Sequence, residues 1–202
     1  NPASTMRNYF VWSNNPPATE KDKWHLPKDE KGNTIGKTYY YGFFSPEMPD
    51  WNYDNAQVVE EAQRILKFWI DLGVDGFRLD AAQHIFKDHN KNIGFWNMIS
   101  AYVKSINKHT FLVGEVDNSS DMVAPYLKPL DACFDFDLSR EVVQSLKNEN
   151  ASNFPMRMEK IITHYKAVNK DYKDAIFLTN HDQNRVMSEV GNNVDKAKLA
   201  AN

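Results

Sequence analysis

Three apolar runs of this chain each end on an acidic residue: "GFRLD" at Asp80, "FLVGE" at Glu115 and "IFLTNHD" at Asp182. Each run is short enough for a buried strand, and helical periodicity fills much of the sequence between them. Strands alternating with helices build a parallel sheet with helical crossovers. The interval from Asp80 to Glu115 fits one unit of a β/α barrel at about 30 residues per unit, and that from Glu115 to Asp182 fits two. "ACFDFDL" supplies the strand between them. An open doubly wound sheet fits the same spacing.

Before the first run, residues 56–72 read as a helix with Val58, Ala62, Ile65, Leu66, Trp69 and Ile70 on one face. Asp54 or Asn55 is the expected N-cap, and Gly73 the expected C-cap. Onward, "VDGFRLD" predicts a strand, "IGFWNMISAYVKSI" a helix, "TFLVGE" a strand, and residues 121–127 a helical turn. "ACFDFDL" is the third strand, residues 140–148 and 154–168 are helices, and "AIFLTNHD" is the fourth strand before a polar helical tail. The first fifty residues differ. They are rich in Pro, Gly, Asn and aromatics, and "NNPP" and "KGN" are turn chemistry. A loop-heavy segment with at most short strands is expected there, with the aromatics of "TYYYGFF" in its core rather than serving as stacking platforms.

A net charge of -3 with mixed signs gives no nucleic-acid footprint and no polybasic membrane patch. No stretch is apolar and long enough to span a bilayer. The single cysteine, Cys133, rules out an internal disulfide and reads as a buried thiol. The start, "NPASTMRNYF", lacks both signal-peptide architecture and an initiator methionine, and reads as a processed end or a cut through a longer protein.

In parallel β/α folds the carboxyl ends of the strands carry the active site. Arg78, two residues before Asp80, leaves the same face of its strand and favours the ionised carboxylate. Taken singly, Arg78–Asp80 could be a structural ion pair, Glu115 a solvated strand end, and the "NHD" at Asn180, His181 and Asp182 a polar turn. Together they form a candidate carboxylate cluster. Paired carboxylates cleave glycosides without a cofactor, one attacking the anomeric carbon and one protonating the leaving oxygen. The competing use is metal binding, to which Asp135 and Asp137 could add ligands, but no HxH, HExxH or CxxC pattern supports a transition metal.

At these residues the sequence resembles the α-amylase family. "GFRLDAAQH" is similar to its nucleophile-strand motif, "FLVGEV" to its acid/base strand, "FLTNHD" to the strand bearing its third catalytic Asp, and "MPDWN" to a short motif in its inserted domain. The wording looks most like bacterial enzymes between true α-amylases and oligo-1,6-glucosidases. The resemblance implies part of a (β/α)8 TIM barrel, about strands 4–7, over residues 51–202, preceded by the end of an inserted loop-rich domain over residues 1–50. It implies Asp80 as nucleophile, Glu115 as acid/base, Asp182 as transition-state stabiliser, and Arg78, His181, Gln83 and His84 as substrate-binding residues. Gln83 stands where lysine is common in the family.

The implied partner is an α-glucan or maltooligosaccharide. The chemistry needs no cofactor, although a structural calcium ion, touching the His84 backbone carbonyl, is compatible with the family. A secreted or cell-surface bacterial protein is favoured over a cytoplasmic one. A transglycosylase, an oligo-1,6-glucosidase and a non-catalytic glucan-binding barrel are the alternatives. The family's earlier Asp–His motif and the remaining barrel strands have no counterpart, so the remainder of the same polypeptide is an expected partner. Alone, the chain is expected to be inactive or poorly folded, because an open barrel leaves unpaired strand edges.

Overall fold

The aromatic run near the start builds a small sheet. In the computed structural model, which describes residues 4–202, strands β1 (Trp12–Ser13), β2 (Trp24–His25) and β3 (Tyr39–Tyr41) pair antiparallel in the order β1-β3-β2. Tyr40 stacks edge-on against Trp12, and Tyr41 tilts against Trp24 at 5.0 Å. These rings therefore pack on one another in the tilted and edge-on arrangements that aromatic pairs favour. "MPDWN" ties this unit together. Trp51 bridges to Phe10 and rests against the rings of Tyr9 and Phe10, while Asp50 accepts from the Phe43 amide at 2.8 Å.

The chain divides into two compact units, Asn1–Leu66 and Lys67–Asn202, and the division falls inside helix α1 (Ala56–Asp71). Asn55 caps the start of α1, its side chain accepting from the Gln57 amide at 3.0 Å. Replacing Asn55 with Ala is expected to cost about 1 kcal/mol of stability, read as a lowered urea midpoint. At the other end Gly73 adopts φ 94°. Its amide bonds the Ile70 carbonyl and the Val74 amide bonds that of Trp69, the paired closure that a left-handed glycine permits. The apolar face of α1 is only partly covered: Val58 and Ile70 are buried, but Ile65, Phe68, Trp69 and Leu72 are exposed. Among the described residues β4 is an edge of its sheet.

The second unit carries β4 (Gly76–Leu79), β5 (Phe111–Gly114), β6 (Ala132–Phe134) and β7 (Lys173–Ala175), all parallel and in chain order β4-β5-β6-β7. Doubly wound sheets reverse their order at a switch point; this one does not, which is the arrangement of consecutive barrel strands. Gly76 is required where β4 meets β5, because a Cβ there would collide with the Phe111 backbone carbonyl. Helix α2 (His89–Ile106) crosses from β4 to β5 and buries Phe95, Trp96, Ile99 and Val103. It is capped by Asp88, which accepts from the Lys91 amide. The short helix α3 (Ser120–Val123) runs into a 3-10 turn, Ala124–Leu127, so the turn expected at 121–127 starts one residue earlier.

Two strand expectations change. "ACFDFDL" is strand only to Phe134, because Asp135 caps helix α4 (Phe136–Lys147) by accepting from the Leu138 amide at 2.8 Å. The fourth strand, β7, begins at Lys173 and ends at Ala175, earlier than "AIFLTNHD" suggested. Residues 176–182 continue as a loop with no ladder partner, and Ile176 is exposed. Helix α5 (Phe154–Val168) lies where expected, and the tail forms α6 (Val186–Glu189) and α7 (Val194–Ala201).

The corner where β6, β7 and α5 meet holds an unusual group. Asp135 is 1% exposed, and its Oδ2, the Asp174 Oδ1 and the Tyr165 hydroxyl are buried together, with Asp174 and Tyr165 in hydrogen-bonding reach of Asp135. Burial and then the neighbouring Asp135 charge push the Asp174 carboxyl up to about 7. Burial pushes Asp135 up as well. Two ionised carboxylates cannot bond one another, and a single proton between them makes the contact a hydrogen bond. Cys133 is a buried free thiol in the same strand, pushed up to about 12 by burial. Among the described residues no helix is long and apolar enough to cross a membrane.

Candidate active site

Strand geometry delivers Arg78 and Glu115 to one end of the sheet. In the β4–β5 ladder Arg78 lies beside Val113, and Glu115 follows β5 directly. The Glu115 amide donates to the Leu79 carbonyl and its carbonyl accepts from Ala82, both at 2.9 Å, so its backbone is locked onto the end of β4. Ala81 turns the chain with φ 43° and ψ 44°, a left-handed conformation uncommon for a residue with a Cβ. Strain of this kind clusters at functional sites. Here it falls next to Asp80.

Arg78 joins two carboxylates. One guanidinium nitrogen pairs with Asp80 Oδ1 and another with Glu115 Oε2, the latter at 2.7 Å. The Ala81 amide also donates to Glu115 Oε2, at 3.2 Å. From the loop after β7, Asn180 Nδ2 reaches Glu115 Oε1 at 3.4 Å. The two acids differ in environment: the Asp80 side chain is 71% exposed and that of Glu115 13%. An ion pair serving only the core would bury both partners, whereas Asp80 stands open to a reactant.

Asp182 meets this group indirectly. Its amide donates to Asn180 Oδ1 at 3.0 Å, and its carboxylate pairs with His181 at 3.3 Å, both side chains being exposed. Asp182 also lines a cavity of about 380 Å³ with Ser139, Arg140, Gln144, Thr179 and Gln183, on whose wall neither Asp80 nor Glu115 lies. Asn180, quoted in the sequence only as part of "NHD", is the residue that connects the third strand end to the first two. Its place directly before two candidate site residues, His181 and Asp182, was the available signal.

Gln83 is occupied. Its Nε2 donates to the Asp117 carbonyl at 3.1 Å and its Oε1 accepts from Asn118 at 3.2 Å. Arg140 holds the same loop through Asp117 and the Asn118 carbonyl. The amide expected to contact sugar thus bonds the loop that follows Glu115. His84 ends a 3-10 turn, Ala82–His84, with its amide on the Ala81 carbonyl. Asp135 and Asp137 stay away from the cluster: Asp135 caps α4, and Asp137 accepts from the Ser120 amide at 2.9 Å. Among the described residues no group of three His, Cys, Asp or Glu side chains could hold a metal ion.

The whole chain, residues 1–202, matches the protein family described as "Alpha amylase, catalytic domain". The chain belongs to the α-amylase family. Alpha-amylase 3 of Dictyoglomus thermophilum is 42% identical over 197 residues, covering 98% of this chain and 38% of that protein. The 4-alpha-glucanotransferase of Thermotoga maritima is 30% identical over 202 residues, covering 96% of this chain and 42% of that protein. In structure, the alpha-amylase from H. orenii superposes with a TM-score of 0.85 at 37% identity, covering 100% of this chain and 42% of that one. The chain thus spans about two fifths of the length of these relatives. Its four parallel strands correspond to part of the α-amylase family's catalytic TIM barrel.

Proposed function

We infer that this chain carries the reacting half of a retaining α-glucan hydrolase acting on α-1,4 bonds of starch or maltooligosaccharides. The observation that supports the reading is the single guanidinium of Arg78 shared by Asp80 and Glu115, the close pairing of carboxyl groups that a retaining mechanism requires. Asp80 attacks the anomeric carbon and forms a covalent glycosyl ester, while Glu115 delivers its proton to the departing glycosidic oxygen. Glu115 then takes a proton from water, whose oxygen displaces Asp80 and restores both groups. Arg78 pairs with the Asp80 carboxylate and aims it. Asp182 and His181 are assigned to the hydroxyls of the distorted sugar, once closed over by substrate.

The chemistry draws on no cofactor. A polymeric substrate that cannot cross a membrane suits a secreted or cell-surface bacterial protein. Transfer to a sugar acceptor is the second reading, supported by the 30% identity to a glucanotransferase.

The test is product analysis with the complete polypeptide. Maltooligosaccharides followed by NMR should first yield the α-anomer, with reducing ends rising in step with cleavage, and isomaltose should persist. Longer oligosaccharides at constant reducing-end count would favour transfer. First release of the β-anomer would overturn the retaining mechanism.

A further inference from the structure

Resting on the acid/base reading of Glu115, we propose that Asn180 is a positioning residue that selects which Glu115 oxygen carries the transferable proton. The two oxygens of that carboxyl have different neighbours. Oε2 receives two donors, the Arg78 guanidinium at 2.7 Å and the Ala81 amide at 3.2 Å. An oxygen held by two donors, one of them charged, is a poor place for a proton. Oε1 has a single donor among the described residues, Asn180 Nδ2 at 3.4 Å. Oε1 is thus left to hold the proton on its remaining lone pair, and Asn180 fixes the direction of that lone pair by occupying the other.

Asn180 is itself oriented. Its Oδ1 accepts the Asp182 amide at 3.0 Å, which leaves Nδ2 pointing away toward Glu115. Its own amide donates to Gln183 Oε1 at 3.1 Å. Two residues upstream, the buried Ser139 hydroxyl of α4 grips the Leu178 carbonyl at 2.6 Å, anchoring the whole loop. One amide side chain therefore sets both the acid and the loop that presents Asp182. A displacement of the proton by about 1 Å costs heavily in transfer rate, but only when the leaving group needs protonating.

That dependence gives a readout a general structural role would not move. In the complete polypeptide, Asn180→Asp keeps an oxygen for the Asp182 amide and removes the donor to Glu115; Asn180→Ala removes both. Each is expected to lower kcat/KM on maltooligosaccharides by about 10-fold or more. On a maltosyl fluoride, whose departing fluoride needs little acid help, kcat/KM of Asn180→Asp should stay within about 3-fold, whereas Asn180→Ala, which also frees the Asp182 amide, should lose activity on both substrates. Wild-type behaviour of Asn180→Asp on maltooligosaccharides would overturn the proposal, as would equal losses by Asn180→Asp on both substrates. Glu115→Gln measured alongside separates the two levels: if it retains turnover on maltooligosaccharides, the acid/base reading itself fails, whatever Asn180 does.

Discussion

Replacing Glu115 with Gln in the complete polypeptide is expected to lower kcat on maltooligosaccharides by about 1,000-fold, in the middle of the range for losing a general acid and base. The amide is nearly isosteric, and it can still accept from Arg78 and Ala81 at the position of Oε2, so the loss is of proton transfer rather than of fold. It should depend on the substrate. With a fluoride leaving group the first step survives, and the block moves to hydrolysis of the covalent intermediate, which needs a base to activate water. Added azide needs no base. It should restore turnover and yield the α-glycosyl azide, formed as azide displaces Asp80 from the anomeric carbon. Full activity of the variant, or no azide product, would remove Glu115 from the role.

The second large effect concerns stability. Asp174 is pushed up to about 7 and Asp135 is raised as well, burial being the first cause for both. A carboxyl whose proton affinity rises on folding stabilises the fold below its ordinary value near 3.8 and loses that contribution as pH climbs through the folded value. Stability drawn from this corner should therefore fall between about pH 4 and pH 7. Moving one carboxyl that far is worth about 4 kcal/mol at full burial, and partial exposure of Asp174 reduces this to about 2 kcal/mol. Asp174→Asn carries a permanent donor toward Asp135 and no ionisable proton. It should match the wild type near pH 4 and exceed it by about 2 kcal/mol at pH 8, measured by urea unfolding at both pH values. Parallel curves for the two proteins would show that the pair does not share a proton.

The ends of β4 and β5 were legible because each joins an apolar run to an acid, a pattern that survives without knowledge of neighbours. Boundaries were harder. "ACFDFDL" alternates like a strand, and nothing local reveals that the Asp135 side chain will bond the Leu138 amide and start a helix. "IFLTNHD" reads as strand by its apolar content, yet β7 pairs only through Ala175 because its other side has no partner. The periodicity of α1 was read correctly, but Trp69 and Ile65 stay exposed, since burial depends on what lies opposite. Gln83 was expected at the sugar from the family resemblance; its hydrogen bonds to the Asp117 carbonyl and the Asn118 side chain, on the loop after Glu115, could not be read from its local sequence. Asn180 was hidden for a similar reason: its task is set by Glu115, which lies in a distant part of the sequence.

The unbroken order of β4, β5, β6 and β7 bears on how such a protein is made. Every pairing joins a strand to its immediate successor, so each closes a short loop at low entropic cost. A ribosome adding about 5–20 residues per second allows seconds for each new strand to dock before the next emerges. Assembly can thus proceed vectorially from β4 onward, each strand templating the one that leaves the exit tunnel after it.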